Sequence, residues 1–153
     1  MVDNIIVATF SSVNAAHDAA RAIKDLKEAG GTKFNLKFGV IVSKDERGAV
    51  SVLESDVHLF HGTKVGVVVG GLIGLIGGVP LATLAALLGA TVGMINDAGM
   101  AILGSATVTS IKSEMQPGMT AVIIEADEAS PNAVDDIVAQ GKGRVFRQAK
   151  GEY

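Results

Sequence analysis

Residues with metal-ligand chemistry come together at one place in the sequence. His58 and His61 are three residues apart, which puts them on one side of a helix, and Asp56 lies just before them. A metal site usually needs a third ligand and supporting hydrogen bonds, but the chain has only one further histidine, His17, and no cysteine. The sequence therefore predicts no metal site, and it excludes thiolate chemistry and disulfides.

The other residue types that commonly carry catalysis form no recognisable constellation. The run from Gly70 to Gly74 lacks both the Gly-Lys-Ser/Thr ending of a phosphate-binding loop and the spacing of a dinucleotide fingerprint. Acidic residues gather near the second predicted helix, where we expect a solvated face that suits the helix dipole. They are Glu125, Asp127, Glu128, Asp135 and Asp136. We therefore expect a protein that is not an enzyme and binds no cofactor.

Composition bounds the possible partners. With 13 Lys and Arg against 16 Asp and Glu, the net charge is -3, so no general basic field is available to hold nucleic acid. The predicted strand from Met119 to Ala126 also lacks aromatic residues on which bases could stack. Apolar residues make up 48% of the chain and charged residues only 19%. This balance indicates an ordered chain, part of which avoids water.

The apolar excess is concentrated in the middle of the chain. No charged residue occurs from Val65 to Asn96, and Gly77-Gly78-Val79-Pro80 interrupts this stretch, which predicts two helices in a hairpin. Glycine recurs at every fourth position of the first helix, and small residues form rows on the second, so helix backbones can approach closely. The residues predicted to pack the helices and drive oligomerisation, as a glycine zipper, are Gly62, Gly66, Gly70, Gly74, Gly78, Ala85, Gly89 and Gly93.

The elements that flank this hairpin follow from hydrophobic periodicity. Before it, the pattern predicts a strand ending at Phe10, a helix from Val13 to Ala29, and a strand from Phe34 to Val42 that folds back through Asp45-Glu46-Arg47-Gly48 into a run from Ala49 to Leu53. After it come the strand Met119 to Ala126, a helix capped by Ser130 with Pro131 at its first position and ended by Gly141, and a strand from Arg144 to Gln148.

This order predicts an α+β fold, a ferredoxin-like split βαβ sandwich with two helices over one face of an antiparallel sheet. We divide the chain into a first βαβ half at 1–55, an inserted apolar hairpin with its connector at 56–115, and a second βαβ half at 116–153. The three parts form one composite domain.

The inserted hairpin predicts contact with a lipid bilayer. A helix of about 15 residues rises only about 22 Å, whereas the hydrocarbon core is about 30 Å thick, so a spanning hairpin has to extend from His58 to about Leu103. Basic residues lie on the side where both ends of the hairpin emerge, which suits the positive-inside pattern and puts the α+β part on the cytoplasmic side of the cytoplasmic membrane. Those expected at the membrane surface are Lys64, Lys142, Arg144 and Arg147.

Several segments resemble an uncharacterised bacterial family. They are Asp3-Asn4-Ile5-Ile6-Val7, the glycine-rich double helix, Gln116-Pro117-Gly118 before Thr120-Ala121-Val122-Ile123-Ile124-Glu125, and Ala129-Ser130-Pro131. The family is a domain-of-unknown-function group of predicted membrane proteins, and the resemblance extends over nearly the whole chain. It implies a membrane location and no particular reaction. Relatives have a more acidic segment after the hairpin, where this chain has Ala98 to Ser110.

Three functions remain open at this stage. The first is a non-enzymatic, membrane-associated protein that self-associates through its glycine zipper. The second is a soluble cytoplasmic protein that assembles into a shell, tube or ring, with hairpins packed between subunits. The third is a regulatory module that binds a small ligand between sheet and helices, for which the sequence offers no motif.

Overall fold

The computed structural model describes residues 2–28, 33–55, 109–111 and 113–149. Residues 109–111 and 113–114 are helical and precede the fourth strand. The longer elements, in chain order, are β1 Val2–Phe10, α1 Val13–Glu28, β2 Phe34–Lys44, β3 Val50–Ser55, β4 Thr120–Glu128, α2 Asn132–Gln140 and β5 Arg144–Ala149. The predicted α+β class is confirmed, and each predicted strand or helix in these ranges is present.

The five described strands form one antiparallel sheet in the order β3-β2-β4-β1-β5. β4 comes from the second half of the sequence but lies between β1 and β2 of the first half. Ile124 of β4 faces Ile6 of β1 on one side and Gly39 of β2 on the other. The two halves of the chain therefore build a single sheet, and neither half completes it alone.

Both helices cover the same face of this sheet. Alternate residues of the strands point to that face, and side chains of α1 and α2 close the core over them. The buried members of this core are Ile6, Ala8, Phe10, Ala16, Ala19, Ile23, Phe34, Leu36, Ile41, Val122, Ile124, Ala126, Val134 and Val138. Burying a side chain of the size of Phe10, which is 0% exposed, stabilises the fold by about 1.5–3 kcal/mol.

The opposite face of the sheet is also buried, and we call it the second face. Its apolar residues are Ile5, Val7, Val40, Val42 and Ile123. The helical segment before β4 lies on this side, because the Lys44 ammonium donates to the Met115 carbonyl over 3.1 Å and Arg144 pairs with Glu114 at 2.9 Å. Lys44 and Arg144 both alternate with helix-side positions, so they belong to the second face.

A β-bulge interrupts β2 after Leu36. Leu36 pairs with Ala126, but the next paired residue is Phe38, which faces Glu125, so two positions of β2 oppose one step of β4. As a result Gly39, and not Phe38, faces Ile124. The apolar residues of β2 have period-two spacing in sequence, yet Leu36 lies on the helix side and Val40 on the second face.

Local signals set the ends of the elements. Ser12 Oγ accepts the Ala15 amide over 3.1 Å at the start of α1, and Asp45 Oδ1 accepts the amides of Arg47 and Ala49 in the β2–β3 turn. The predicted cap of α2 is wrong by one residue, because Pro131 occupies the cap position and α2 begins at Asn132. Ser130 Oγ accepts the Asn132 amide at 3.3 Å, so its hydroxyl still serves the first turn.

Candidate functional site

The glycine zipper falls outside the described residues. Its members at 62–78 and 85–93 and the basic residue Lys64 all lie between the end of β3 and the helical segment at 109. Within the described ranges, no helix is both long and apolar enough to cross a bilayer. The described part of the predicted site consists of Lys142, Arg144 and Arg147.

Arg147 lies at the centre of a buried ion network. Its guanidinium donates two hydrogen bonds to Glu128, with Nε to Oε2 at 2.8 Å and Nη2 to Oε1 at 3.1 Å. The same group pairs with Asp135 of α2 at 2.8 Å, and Asn4 Nδ2 donates to Glu128 Oε2 at 2.8 Å. Glu128 is thus held by three donors, and its side chain is 2% exposed. This network ties β1, β4, β5 and α2 together at the helix side of the sheet.

The electrostatics of this network favour the charged form of Arg147. Burial alone would lower the pKa of Arg147, but the hydrogen bonds and charges of Glu128 and Asp135 outweigh it and raise that pKa above its ordinary value. A buried carboxylate is stable in a protein only when it is paired, and Arg147 supplies that pairing with the geometry of a planar fork. The guanidinium is therefore occupied by protein carboxylates.

Arg144 and Lys142 have different surroundings from Arg147. Arg144 lies on the second face, pairs with Glu114 and keeps a 67% exposed side chain. Lys142 is exposed in the turn between α2 and β5, with a left-handed backbone at φ 56°. Arg144 and Arg147 are three residues apart in a strand and so point to opposite faces. The structure brings Lys142 and Arg144 to one end of the sheet, and it does not bring Arg147 to them.

A second ion network lies at the other end of the second face. Lys37 Nζ is 3.0 Å from Asp3 Oδ2 and 3.2 Å from Asp127 Oδ1, which links three strands at the bulge. Burial would lower the pKa of Lys37, but the hydrogen bonds that it donates to Asp3 and Asp127, together with the charges of those two carboxylates, raise it. Lys37 is the extra residue of the bulge. The bulge therefore places the Lys37 ammonium group next to these two carboxylates.

The expectation that the acidic group forms a solvated face is wrong for two of its members. Glu128 is 3% exposed and Glu125 is 4% exposed, on opposite faces of β4. Asp127 and Asp135 are half-buried in the two ion networks, and Asp136 is exposed. A continuous apolar run, here Val122 to Ile124, is typical of a strand that is buried on both faces. This pattern could have predicted that the carboxylates that follow it in the same strand are buried as well.

The described structure has a recess between helix and sheet, where the third function considered from the sequence would place a small ligand. A groove runs between α1 and β2, with apolar residues at its floor and basic residues of α1 at its rim.

Among the described residues, no three histidines or carboxylates gather as a metal site. Comparison with models of protein families, with curated proteins and with solved structures finds no match for this chain.

Proposed function

We propose that the protein is a non-enzymatic, membrane-associated protein that self-associates through a glycine-zipper hairpin inserted into a ferredoxin-like domain. The observation that carries this proposal is the stretch from Val65 to Asn96, which has no charged residue and keeps a glycine at every fourth position of its first part. A glycine in a helix interior costs about 0.8–1.0 kcal/mol relative to alanine in water. Close helix packing, or removal from water, offsets that cost.

The arrangement of the described strands supports the ferredoxin-like part of the proposal. Without the edge strand β3, the order is β2-β4-β1-β5, and each half of the chain contributes a strand, a helix and a strand. Interleaved βαβ halves of this kind characterise the split βαβ plan. The chain between β3 and β4 is then an insertion into one domain, and the domain holds its own core on the helix side.

Charges at one end of the sheet support membrane contact. Lys142 and Arg144 are exposed there, beside the segment at 109–115 through which the inserted stretch rejoins the sheet. A basic residue near an anionic bilayer surface contributes about 1 kcal/mol. Arg147 is bound to two carboxylates, so we assign the headgroup contacts to Lys142 and Arg144, together with Lys64, and place the domain on the cytoplasmic side of the cytoplasmic membrane.

Fractionation of the untagged, natively expressed protein tests the membrane location. We expect the protein to remain in the membrane pellet after a carbonate wash, as an integral protein does. Recovery as a large soluble particle would instead contradict insertion and favour the assembly in which hairpins pack between subunits in water.

Substitutions in the glycine row test self-association. Gly70→Leu or Gly74→Leu places a large side chain where helix backbones approach, so we expect a smaller oligomer in detergent by light scattering after size exclusion. Gly71→Leu is the matched control, since Gly71 lies in the same segment but outside the row of every fourth residue. An unchanged oligomer in the first two variants, or an equal loss in the control, would refute the glycine zipper.

A further inference from the structure

The groove between α1 and β2 has the composition of a ligand site. Its volume is about 260 Å³. Its floor is apolar and is formed by residues of α1, β2 and β4. They are Ile23, Leu36, Ile41, Val122 and Ile124. Its rim carries the basic residues His17, Arg21 and Lys24 of α1. An apolar recess with a few converging polar groups is the usual form of a small-molecule site.

The groove exists because of the β2 bulge and a missing side chain. The bulge brings Gly39 into the helix-side row between Leu36 and Ile41, where a larger residue would fill the space under α1. A Cβ built on Gly39 meets only Ile124 Cγ2 at 3.6 Å, an ordinary contact, and the backbone there is not left-handed. A side chain is thus sterically permitted at 39, and glycine is not demanded by the fold.

The described lining of the groove includes Arg21 and Lys24 and no acidic residue. His17, Arg21 and Lys24 follow one another at helical spacing and so lie along one side of α1. Asp18 lines a different groove, on the side of α1 that faces α2. Arg21 is exposed, and its guanidinium has no carboxylate partner among the described residues. This side of α1 therefore offers a guanidinium that can bind an anion at the rim of an apolar groove.

We propose that this groove binds a small monocarboxylate with an apolar body, its carboxylate at Arg21 and its body against Leu36, Ile41 and Ile124. A guanidinium pairs with a carboxylate through two parallel hydrogen bonds, which orients the ligand as well as holding it. The floor offers only apolar surface, so the part of the ligand that lies against it has to be apolar as well. This site lies in the α+β domain and does not depend on the glycine zipper.

The test uses the full-length protein with isoleucine methyl groups labelled for NMR, titrated with octanoate as the probe. We expect saturable shifts at Ile23, Ile41 and Ile124, which line the groove, and none at Ile5 and Ile123, whose side chains lie on the second face. Octylammonium, with the same chain and the opposite charge, should bind at least about tenfold more weakly, and so should acetate, which lacks the apolar body. Equal shifts with octanoate and octylammonium would overturn the proposal.

Two variants with matched controls complete the test. Arg21→Gln should weaken octanoate binding about tenfold or more, whereas Arg47→Gln in the β2–β3 turn should leave it unchanged. Gly39→Val should fill the groove and abolish the shifts while the protein stays folded, whereas Ala133→Val on the exposed side of α2 should not. Binding that survives either Arg21→Gln or a folded Gly39→Val would show that octanoate binds elsewhere.

Discussion

Replacing Arg147 by methionine should strongly destabilise the domain. Methionine keeps most of the apolar stem of the side chain and removes the guanidinium. Glu128, whose side chain is 2% exposed, would then keep one donor, Asn4 Nδ2, out of three. Breaking a buried ion pair by removing one partner typically costs about 3–5 kcal/mol. That is a large part of a total stability of about 5–15 kcal/mol.

The cost arises from the charge that Glu128 keeps when its partner is removed. We therefore expect Arg147→Met to lower the free energy of unfolding by about 3–4 kcal/mol at pH 7. Adding Glu128→Gln should recover most of the loss at pH 7, because the amide carries no charge and still reaches Asn4.

Native-state hydrogen exchange of the β4 amides measures these free energies in the intact protein. Arg144→Met is the matched control, since Arg144 lies in the same strand with a 67% exposed side chain and a surface ion pair worth at most about 1 kcal/mol. A loss below about 1 kcal/mol for Arg147→Met would refute the reasoning. So would a double variant, Glu128→Gln with Arg147→Met, that is no more stable than the single one.

Three smaller perturbations test other contacts. Because the pKa of Lys37 is raised, its contribution to stability is complete below the ordinary lysine value of 10.5 and is lost as the pH rises beyond it. The difference in unfolding free energy between wild type and Lys37→Met should therefore be constant from pH 7 to 9 and shrink above 10.5. Urea melts at each pH measure this difference. Gly143→Ala should cost about 1–3 kcal/mol in thermal melts, because its Cβ would lie 2.7 Å from the Thr9 carbonyl oxygen, whereas Gly39→Ala should be neutral or slightly stabilising. Ser12→Ala should cost about 1 kcal/mol in the same melts by removing the cap of α1, and an unchanged melting temperature would contradict that role.

Elements with strong local signals could be predicted from the sequence. The turn from Asp45 to Gly48 combines an aspartate that accepts two backbone amides with a glycine at φ 85°, and both signals are visible in the sequence. The start of α1 follows from its Ser12 cap and from the apolar spacing of the residues after it. In α2 the helix ends before Gly141 as predicted, although the left-handed residue is Lys142. These features depend on interactions between residues that are close in sequence, so they can be predicted from each segment by itself.

Features that depend on pairing between strands could not be predicted. The spacing from Phe34 to Val42 is regular, and only the register against β4 reveals the bulge that puts Gly39 in the groove. Register also buries Glu128 next to Arg147, which is 19 residues away in sequence. The separation of Arg144 from Arg147 is different, because two residues three apart in a strand without a bulge lie on opposite faces, and that rule could be applied to the sequence alone.

The segment at 109–115 contributes to the stability of the domain through its packing on the second face of the sheet. Ile111 and Met115 are each 1% exposed, and the segment that carries them is fastened to Lys44 and Arg144 on this face. Truncating a buried isoleucine or methionine to alanine costs about 2–5 kcal/mol. We therefore expect Ile111→Ala and Met115→Ala each to lower the free energy of unfolding by that amount.

The matched control for these two variants is Val52→Ala at the exposed edge of the sheet, where Val52 is 51% exposed and the change should stay within about 0.5 kcal/mol. Hydrogen exchange of the β2 and β4 amides reports the result. If exchange in the sheet is unaffected by Ile111→Ala and Met115→Ala, the segment at 109–115 packs too loosely to matter. If it rises as expected, the packing of Ile111 and Met115 on the second face stabilises the sheet itself.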